Sequence, residues 1–161
     1  MLSILFILFG FLLIMTRAFA QAPDLNQLKS NREKVKTWLD YCESLRINKQ
    51  GITGNYILLQ NAALKGLDLA KTDDAESRSR FYFYVALGYY YQVKFDSAQN
   101  YFYQSLHEAQ KGHITKQISK ACVALIPVNF QLQQKEKVDD CKNILQSIID
   151  TTRDRGLLQD G

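Results

Sequence analysis

The segment RFYFYVALGYYYQVKFDSAQNYFYQSL, residues 80–106, decides the fold class of this chain. Between Phe81 and Tyr103 it holds 11 of the chain's 19 aromatic residues. Aromatic residues are common in strands, so the run FYFY near its start is compatible with a strand. That run has no hairpin partner, however, and it continues into apolar residues spaced by three and four positions. This spacing favours helices, and we predict an all-α chain.

Apolar residues with helical spacing recur along most of the chain. The four clearest faces are Val35-Trp38-Leu39-Cys42-Leu45, Tyr56-Leu59-Ala63-Gly66-Ala70, Phe95-Ala98-Phe102-Ser105-Ala109 and Val138-Cys141-Leu145-Ile148. Polar or glycine-containing breaks lie at 47–55, 71–74, 111–115 and 133–137. Because such breaks end helices, the sequence predicts six helices of about 15 to 20 residues joined by short turns.

The spacing of the apolar residues is itself repeated along the chain. Tyr56, Phe95 and Val138 are each predicted to begin a helix with apolar or small residues at offsets zero, three, seven and ten. The preceding helices also match. The one before Phe95 carries Tyr82, Val85, Ala86 and Tyr89, and the one before Val138 carries, at the same distances, Leu125, Val128, Asn129 and Leu132. The units are 39 and 43 residues apart. The sequence therefore predicts a helix–turn–helix unit that occurs about three times.

These residues resemble the tetratricopeptide repeat (TPR) family, whose units alternate bulky and small residues on two packed helices. The second unit carries the pattern without a gap, in Tyr82, Val85, Ala86, Tyr89, Phe95, Ala98, Phe102 and Ser105. In an alternative register, Leu87, Gly88 and Tyr91 would fill the large, small and aromatic positions of the first helix. The turn to the second helix of the unit would then be two residues shorter. The first unit has about five extra residues in the turn before Tyr56. The resemblance implies a TPR-like α-solenoid with units at about 31–72, 75–111 and 115–153.

The first 20 residues have the composition of a signal peptide. An apolar run from Leu2 to Met15 is shorter than the ~20 residues of a membrane-spanning helix, and it precedes the small-x-small triplet Ala18-Phe19-Ala20. Cleavage is predicted between Ala20 and Gln21. No Lys or Arg precedes the run, so an uncleaved anchor stays an alternative. We predict an exported protein of the periplasm or cell envelope.

The charge balance argues against a nucleic-acid partner. Removing residues 1–20 removes Arg17 and no acid, which leaves 19 basic and 16 acidic residues, or +3. Both signs are interspersed along the chain, as on solvated helix faces. A nucleic-acid-binding protein would carry a denser basic stripe.

Most of the aromatic cluster is predicted to be core. Tyr82, Tyr89, Phe95 and Phe102 are the residues by which one helix of a TPR-like unit would pack on the next. The resemblance implies that the first helix of each unit lines a concave groove. The candidate peptide-binding groove consists of Arg80, Phe83, Tyr84, Tyr90, Tyr91, Phe130, Gln133 and Gln134. As an alternative, its aromatic residues pack against the first unit's extended turn or against a further repeat.

The chain lacks the motifs of common catalytic and metal sites. His107 and His113, its two histidines, have no zincin spacing and are predicted on a solvated face or at a helix end. Cys42, Cys122 and Cys141 lack the spacing of a zinc site and are predicted to be buried. We therefore predict no catalytic residue, no metal and no cofactor; any kinase activity would lie beyond residue 161.

The repeats behind a signal peptide look like the exported input regions of bacterial two-component sensor histidine kinases and related regulators. This resemblance implies a protein or peptide partner, with self-association as an alternative, and a role in signal transduction. Residues 154–161 are interpreted as a turn and the truncated start of a further segment, so a downstream membrane span would be missing. The alternative function is a free-standing exported scaffold for cell-envelope assembly.

Overall fold

A computed structural model describes the backbone of residues 22–26, 30–47 and 54–159, with side chains for 22–26, 30–46 and 56–153. In these ranges there are six helices and no strand, so the all-α prediction is confirmed. The helices are α1 (Asn31–Ile47), α2 (Gly54–Leu69), α3 (Ala75–Tyr91), α4 (Phe95–Lys111), α5 (Thr115–Gln131) and α6 (Lys135–Gln159). The predicted signal peptide lies outside the described residues. None of the helices found in these ranges combines the length and hydropathy needed to cross a bilayer.

Two of the helices have a side-chain cap at their N-terminus. At α1, Ser30 Oγ accepts from the backbone N–H of Glu33, and the Glu33 carboxylate accepts from the backbone N–H of Ser30, at 3.1 Å each. At α3, Asp74 Oδ1 accepts from the backbone N–H of Ser77 at 3.0 Å. These bonds satisfy N–H groups that have no partner within the helix. The starts of α1 and α3 are therefore encoded locally in the sequence.

Three turns of the same length join α3 to α6. Each has three residues, so α3, α4, α5 and α6 begin 20 residues apart. Val93, His113 and Gln133 are the middle residues and have positive φ angles of 61°, 53° and 58°. After each of them, a backbone N–H returns to a carbonyl five residues earlier, as in Lys94 to Tyr89 at 3.0 Å. This is the Schellman arrangement, which satisfies free carbonyls at the end of a helix.

The spacing of the helix pairs differs from the spacing predicted by the sequence pattern. The second helix of each pair begins at Gly54, Phe95 and Lys135, at intervals of 41 and 40 residues rather than 39 and 43. Phe95 begins its helix as predicted, whereas Tyr56 is the third residue of α2 and Val138 the fourth residue of α6. Residues three or four apart share a helix face, so an apolar pattern shifted by one turn looks the same in the sequence.

The helices form a curved stack. Consecutive helices pack together, and α3 and α4 are antiparallel, since Arg78 pairs with Glu108 near one end and Tyr90 contacts Phe95 near the other. In addition, the backbone of α3 lies close to both α1 and α5, whereas in the described part of the chain the backbone of α4 lies close to neither α2 nor α6. The odd-numbered helices therefore lie close together on a concave inner side, and the even-numbered helices spread apart on the outer side.

The buried core differs from the predicted one in its aromatic residues. Phe102 is buried as predicted, but Tyr82, Tyr89 and Phe95 are only half-buried. Phe81 and Tyr84 are buried in their place. Phe81 fits against Gly66 of α2, where an added Cβ would lie 2.1 Å from its ring. Val85, Ala86, Ala98 and Ser105 of the same pattern are buried as predicted, so the difference is confined to Phe95 and the aromatic residues of α3.

The last helix is longer than predicted. The sequence suggested a turn within residues 151–161, but α6 continues as a helix to Gln159. The glycine in this stretch is Gly156, and a single glycine within a helix costs about 1 kcal/mol without ending it. The helix consequently spans 25 residues, whereas the other five have 16 or 17.

Candidate functional site: a groove on the inner side

A cavity of about 480 Å³ opens on the inner side of the stack, where α1, α3 and α5 meet. We call it the inner groove. Its residues are Glu43 and Arg46 of α1, Tyr56 of α2, five residues of α3 (Arg80, Phe83, Tyr84, Leu87, Tyr91) and a face of α5 that includes Lys120 and Val123. The groove thus draws side chains from three separate helix pairs.

Tyr84 forms the floor of the inner groove. Its ring is buried, with 4% of its surface exposed, and its hydroxyl donates to Glu43 Oε2 at 2.5 Å. Burial, followed by the hydrogen bond to Glu43, raises the pKa of Tyr84. The phenol is therefore protonated at neutral pH and acts as a hydrogen-bond donor that ties α3 to α1.

Glu43 is an ionised carboxylate with two donors. Arg46 donates to both of its oxygens, through Nη2 and through Nε, the latter at 3.0 Å. These bonds, with the bond from Tyr84, outweigh partial burial and lower the pKa of Glu43 to about 2. The negative charge of Glu43 is therefore matched within the protein by Arg46.

Two further cations line the groove. Neither Arg80 nor Lys120 forms an ion pair with any residue that the structure describes. Arg80 lies beside the Tyr84 phenol, and Lys120 faces it from α5. Burial is the main cause that lowers the pKa of Lys120; the charge of Glu43 opposes it, and the positive charges of Lys116, Arg46 and Arg80 add to it. The groove therefore carries three cations against one carboxylate.

Aromatic and aliphatic surface surrounds these charges. Tyr91 is 48% exposed, and its ring stacks on Tyr56 with centroids 3.8 Å apart. On the opposite wall Val123 is 59% exposed. Pro127 lies one turn after Val123 and has no N–H for the Val123 carbonyl, which thus loses its usual helical donor. The inner groove combines apolar walls with positive charge.

The structure divides the predicted groove residues among three places. Arg80, Phe83, Tyr84 and Tyr91 line the inner groove. Phe130, Gln133 and Gln134 instead line a second cavity of about 630 Å³ at the turn between α5 and α6. Tyr90 lines neither cavity and packs edge-on against Phe95, with ring centroids 5.9 Å apart. The eight residues therefore do not form one continuous site.

Sequence reasoning missed the contributions of α1 and α5 to the inner groove. The sequence pattern singled out none of Glu43, Arg46 and Lys120. One signal was available for α5, because Arg80 and Lys120 are each the sixth residue of their helix and stand 40 residues apart. No such signal exists for Glu43, since its place in the groove depends on how α1 packs on α3.

The second cavity has a different character from the inner groove. Phe130 is 74% exposed there, beside Val138 and the charged side chains of Lys135, Asp139 and Lys142. Gln134 accepts a hydrogen bond from Gln99 at 2.7 Å. An exposed phenylalanine with a charged rim is a possible contact surface.

The predicted positions of the cysteines and histidines agree with the structure. Cys42, Cys122 and Cys141 are all buried, and His107 and His113 are exposed, the latter in a turn. Among the described residues, no cluster of His, Cys, Asp or Glu has the arrangement of a metal site.

Comparison with known proteins yields no match to a family model, to a curated protein or to a solved structure. The functional interpretation therefore depends on the geometry and chemistry of the inner groove.

Proposed function

We propose that this chain is an exported, TPR-like interaction domain that binds an extended segment of a partner protein in the inner groove. In this proposal it is the input region of a membrane signalling protein, located in the periplasm or cell envelope. The regular pairs of antiparallel helices and the concave inner side support the proposal. A groove that crosses several helices suits an extended peptide, because successive residues of the peptide meet successive helices.

The observation that carries the proposal is the pair Arg80 and Lys120, two cations that form no ion pair with a described residue and line the same groove as the half-exposed ring of Tyr91. Cations left unpaired in a partly enclosed groove raise the local positive potential, which attracts negatively charged segments. Aromatic side chains add apolar contact area at a low cost in conformational entropy. The partner segment is therefore expected to carry acidic residues next to apolar ones.

The groove also offers a physical route for signalling. Its walls belong to α1, α3 and α5, so a ligand that contacts all three favours one curvature of the stack over others. A ligand shifts such an equilibrium only by its difference in affinity for the two shapes. A downstream segment could respond to the change in curvature.

The alternative function is an exported scaffold that joins envelope components without transmitting a signal. The second cavity around Phe130 favours this alternative, because it provides another contact surface outside the inner groove. A scaffold needs two such surfaces, whereas an input domain needs one surface and a change of shape.

Charge reversal tests the groove. The double variant R80E/K120E is compared with K65E/K71E, which changes the net charge equally at two exposed lysines outside the groove. A library of short random peptides is selected on the mature protein, and the affinities of the selected peptides are measured by titration calorimetry. We expect R80E/K120E to lose at least about tenfold in affinity and the control to stay within about twofold. Equal losses in both variants would mean that the groove is not the binding site.

A distance measurement separates the two functions. Spin labels on exposed positions of α1 and α6 report the curvature with and without a saturating selected peptide. A shifted distance supports the input domain, and an unchanged distance supports the scaffold. The labels would be introduced in a variant without its native cysteines whose thermal midpoint matches that of the reduced, unmodified protein.

A further inference from the structure

Two of the three buried cysteines lie together between the last two helices. Cys122 of α5 and Cys141 of α6 are 0% and 1% exposed and belong to the same core cluster, where each thiol shifts the pKa of the other. Cys42 belongs to the other core cluster, on α1. The pairing of Cys122 with Cys141 is therefore a product of the packing of α5 on α6.

Polar groups mark the same place. The interaction of the two thiols lowers the pKa of Cys141 and, together with burial, raises that of Cys122. The amide of Asn129, itself fully buried, lies 4.0 Å from Cys141 Sγ. Cys42 has no comparable partner, and burial raises its pKa to about 12. Cys141 is thus the better nucleophile of the three thiols.

From this geometry we infer that Cys122 and Cys141 form a disulfide bond in the oxidised protein and that Cys42 stays a free thiol. The inferred bond would be a covalent link between α5 and α6. Among the described helices, the backbone of α6 packs against α5 alone, and α4 reaches it through the side-chain contact of Tyr103 with Lys137. The link would close a loop of about 20 residues and hold together the two helices that form the second cavity.

The chemistry needs an external disulfide as oxidant, such as oxidised glutathione or an oxidised dithiol enzyme of the envelope. The Cys141 thiolate attacks one sulfur of that disulfide and releases its first thiolate. The Cys122 thiolate then attacks Cys141 in the mixed disulfide and releases the second thiolate. Overall, two protein thiols lose two protons and two electrons, and the external disulfide gains them. Because both thiols are buried, the reaction is expected to be fast during folding and slow in the folded, reduced protein.

Thiol counting tests the inference without reference to cellular location, so its result is independent of the proposed function. The mature chain is refolded from the reduced, denatured state with a glutathione redox buffer, denatured again, and alkylated with N-ethylmaleimide. We expect one alkylated cysteine, Cys42, a mass about 2 Da below that of the reduced chain before alkylation, and a digest fragment that links Cys122 to Cys141. Three alkylated cysteines, a glutathione adduct or a link to Cys42 would overturn the inference.

Two variants make the result specific. C42S keeps the inferred pair, so we expect no alkylated cysteine and the same linked fragment. C122S removes one partner, so two alkylated cysteines are expected. Reduction of the refolded native sequence should lower its thermal midpoint by about 10 °C, but that of C122S by less than about 1 °C. An equal response of both proteins to reduction would contradict a stabilising link.

Discussion

The hydroxyl of Tyr84 donates a 2.5 Å hydrogen bond to Oε2 of Glu43, which joins α3 to α1 beneath the inner groove. The sequence predicted Tyr84 as a groove residue, and the side chain does line the cavity. Its ring is nevertheless buried, so it also belongs to the core. Tyr84 thus lines the inner groove and packs in the core at the same time.

Replacing buried and exposed groove tyrosines separately should distinguish packing from binding. We expect Y84A to lower the thermal midpoint by roughly 10 °C, because loss of a buried aromatic side chain costs about 3 to 5 kcal/mol. Y91A should lower it by only a few degrees, since Tyr91 is half-exposed and loses mainly its stacking on Tyr56. Thermal unfolding followed by circular dichroism makes the comparison.

The control is Y84F, which keeps the ring and removes the hydroxyl that donates to Glu43. Its cost should be about 1 to 2 kcal/mol, well below that of Y84A. If Y91A proved as destabilising as Y84A, Tyr91 would have to be assigned to the core rather than to the groove wall.

Glu43 should make the stability of the fold depend on acidic pH. Its pKa in the folded protein is about 2, below the usual 4.5, so its ionised form stabilises the folded state. This contribution is fully present above the unfolded-state pKa and is lost as the pH falls toward the folded-state pKa. The difference in thermal midpoint between the native sequence and E43Q should therefore be constant from neutral pH to about pH 5 and decrease toward about pH 2. A difference that stays constant over the whole range would show that Glu43 is not ionised in the way its contacts imply.

Gly66 provides a test of the packing between α2 and α3. A Cβ at this position would lie 2.1 Å from the ring of Phe81, which is fully buried and has no free space to move into. G66A should therefore lower stability by about 1 to 3 kcal/mol, although alanine favours helices more than glycine does. The matched control is N61A, at an exposed position of the same helix, which should be neutral or slightly stabilising. Urea unfolding of both variants measures the difference, and a stabilised G66A would disprove the close contact.

Val93 provides a test of backbone strain. It has a φ of 61° although it is β-branched, and its side chain is 69% exposed, so little packing compensates for the strain. Asparagine tolerates this region of φ better, and V93N should raise the free energy of unfolding by about 1 kcal/mol. The equivalent change Q133N starts from a residue that is not β-branched and should gain less. Calorimetry of the two variants gives the comparison; an equal or smaller gain at Val93 would contradict the assigned turn.

The sequence pattern located the helices better than it located their partners. Phe95 was predicted to begin a helix and does so, because a polar break precedes a long apolar periodicity. Val138 was also predicted to begin a helix but lies one turn inside α6. Both residues have the same pattern of apolar neighbours, and a shift of three or four residues leaves that pattern unchanged. Only contacts with another helix distinguish the two registers.

The sequence by itself determined the all-α class, most of the breaks and the burial of the cysteines. These features follow from apolar periodicity, capping residues and residue polarity, which act within a few positions along the chain. The tertiary structure decided that Phe81 rather than Tyr82 enters the core, that Glu43 joins Arg80 and Lys120 in one groove, and that Cys122 meets Cys141. Each of these depends on the angle and register at which two helices pack, and helix packing is set by the shapes of both surfaces together.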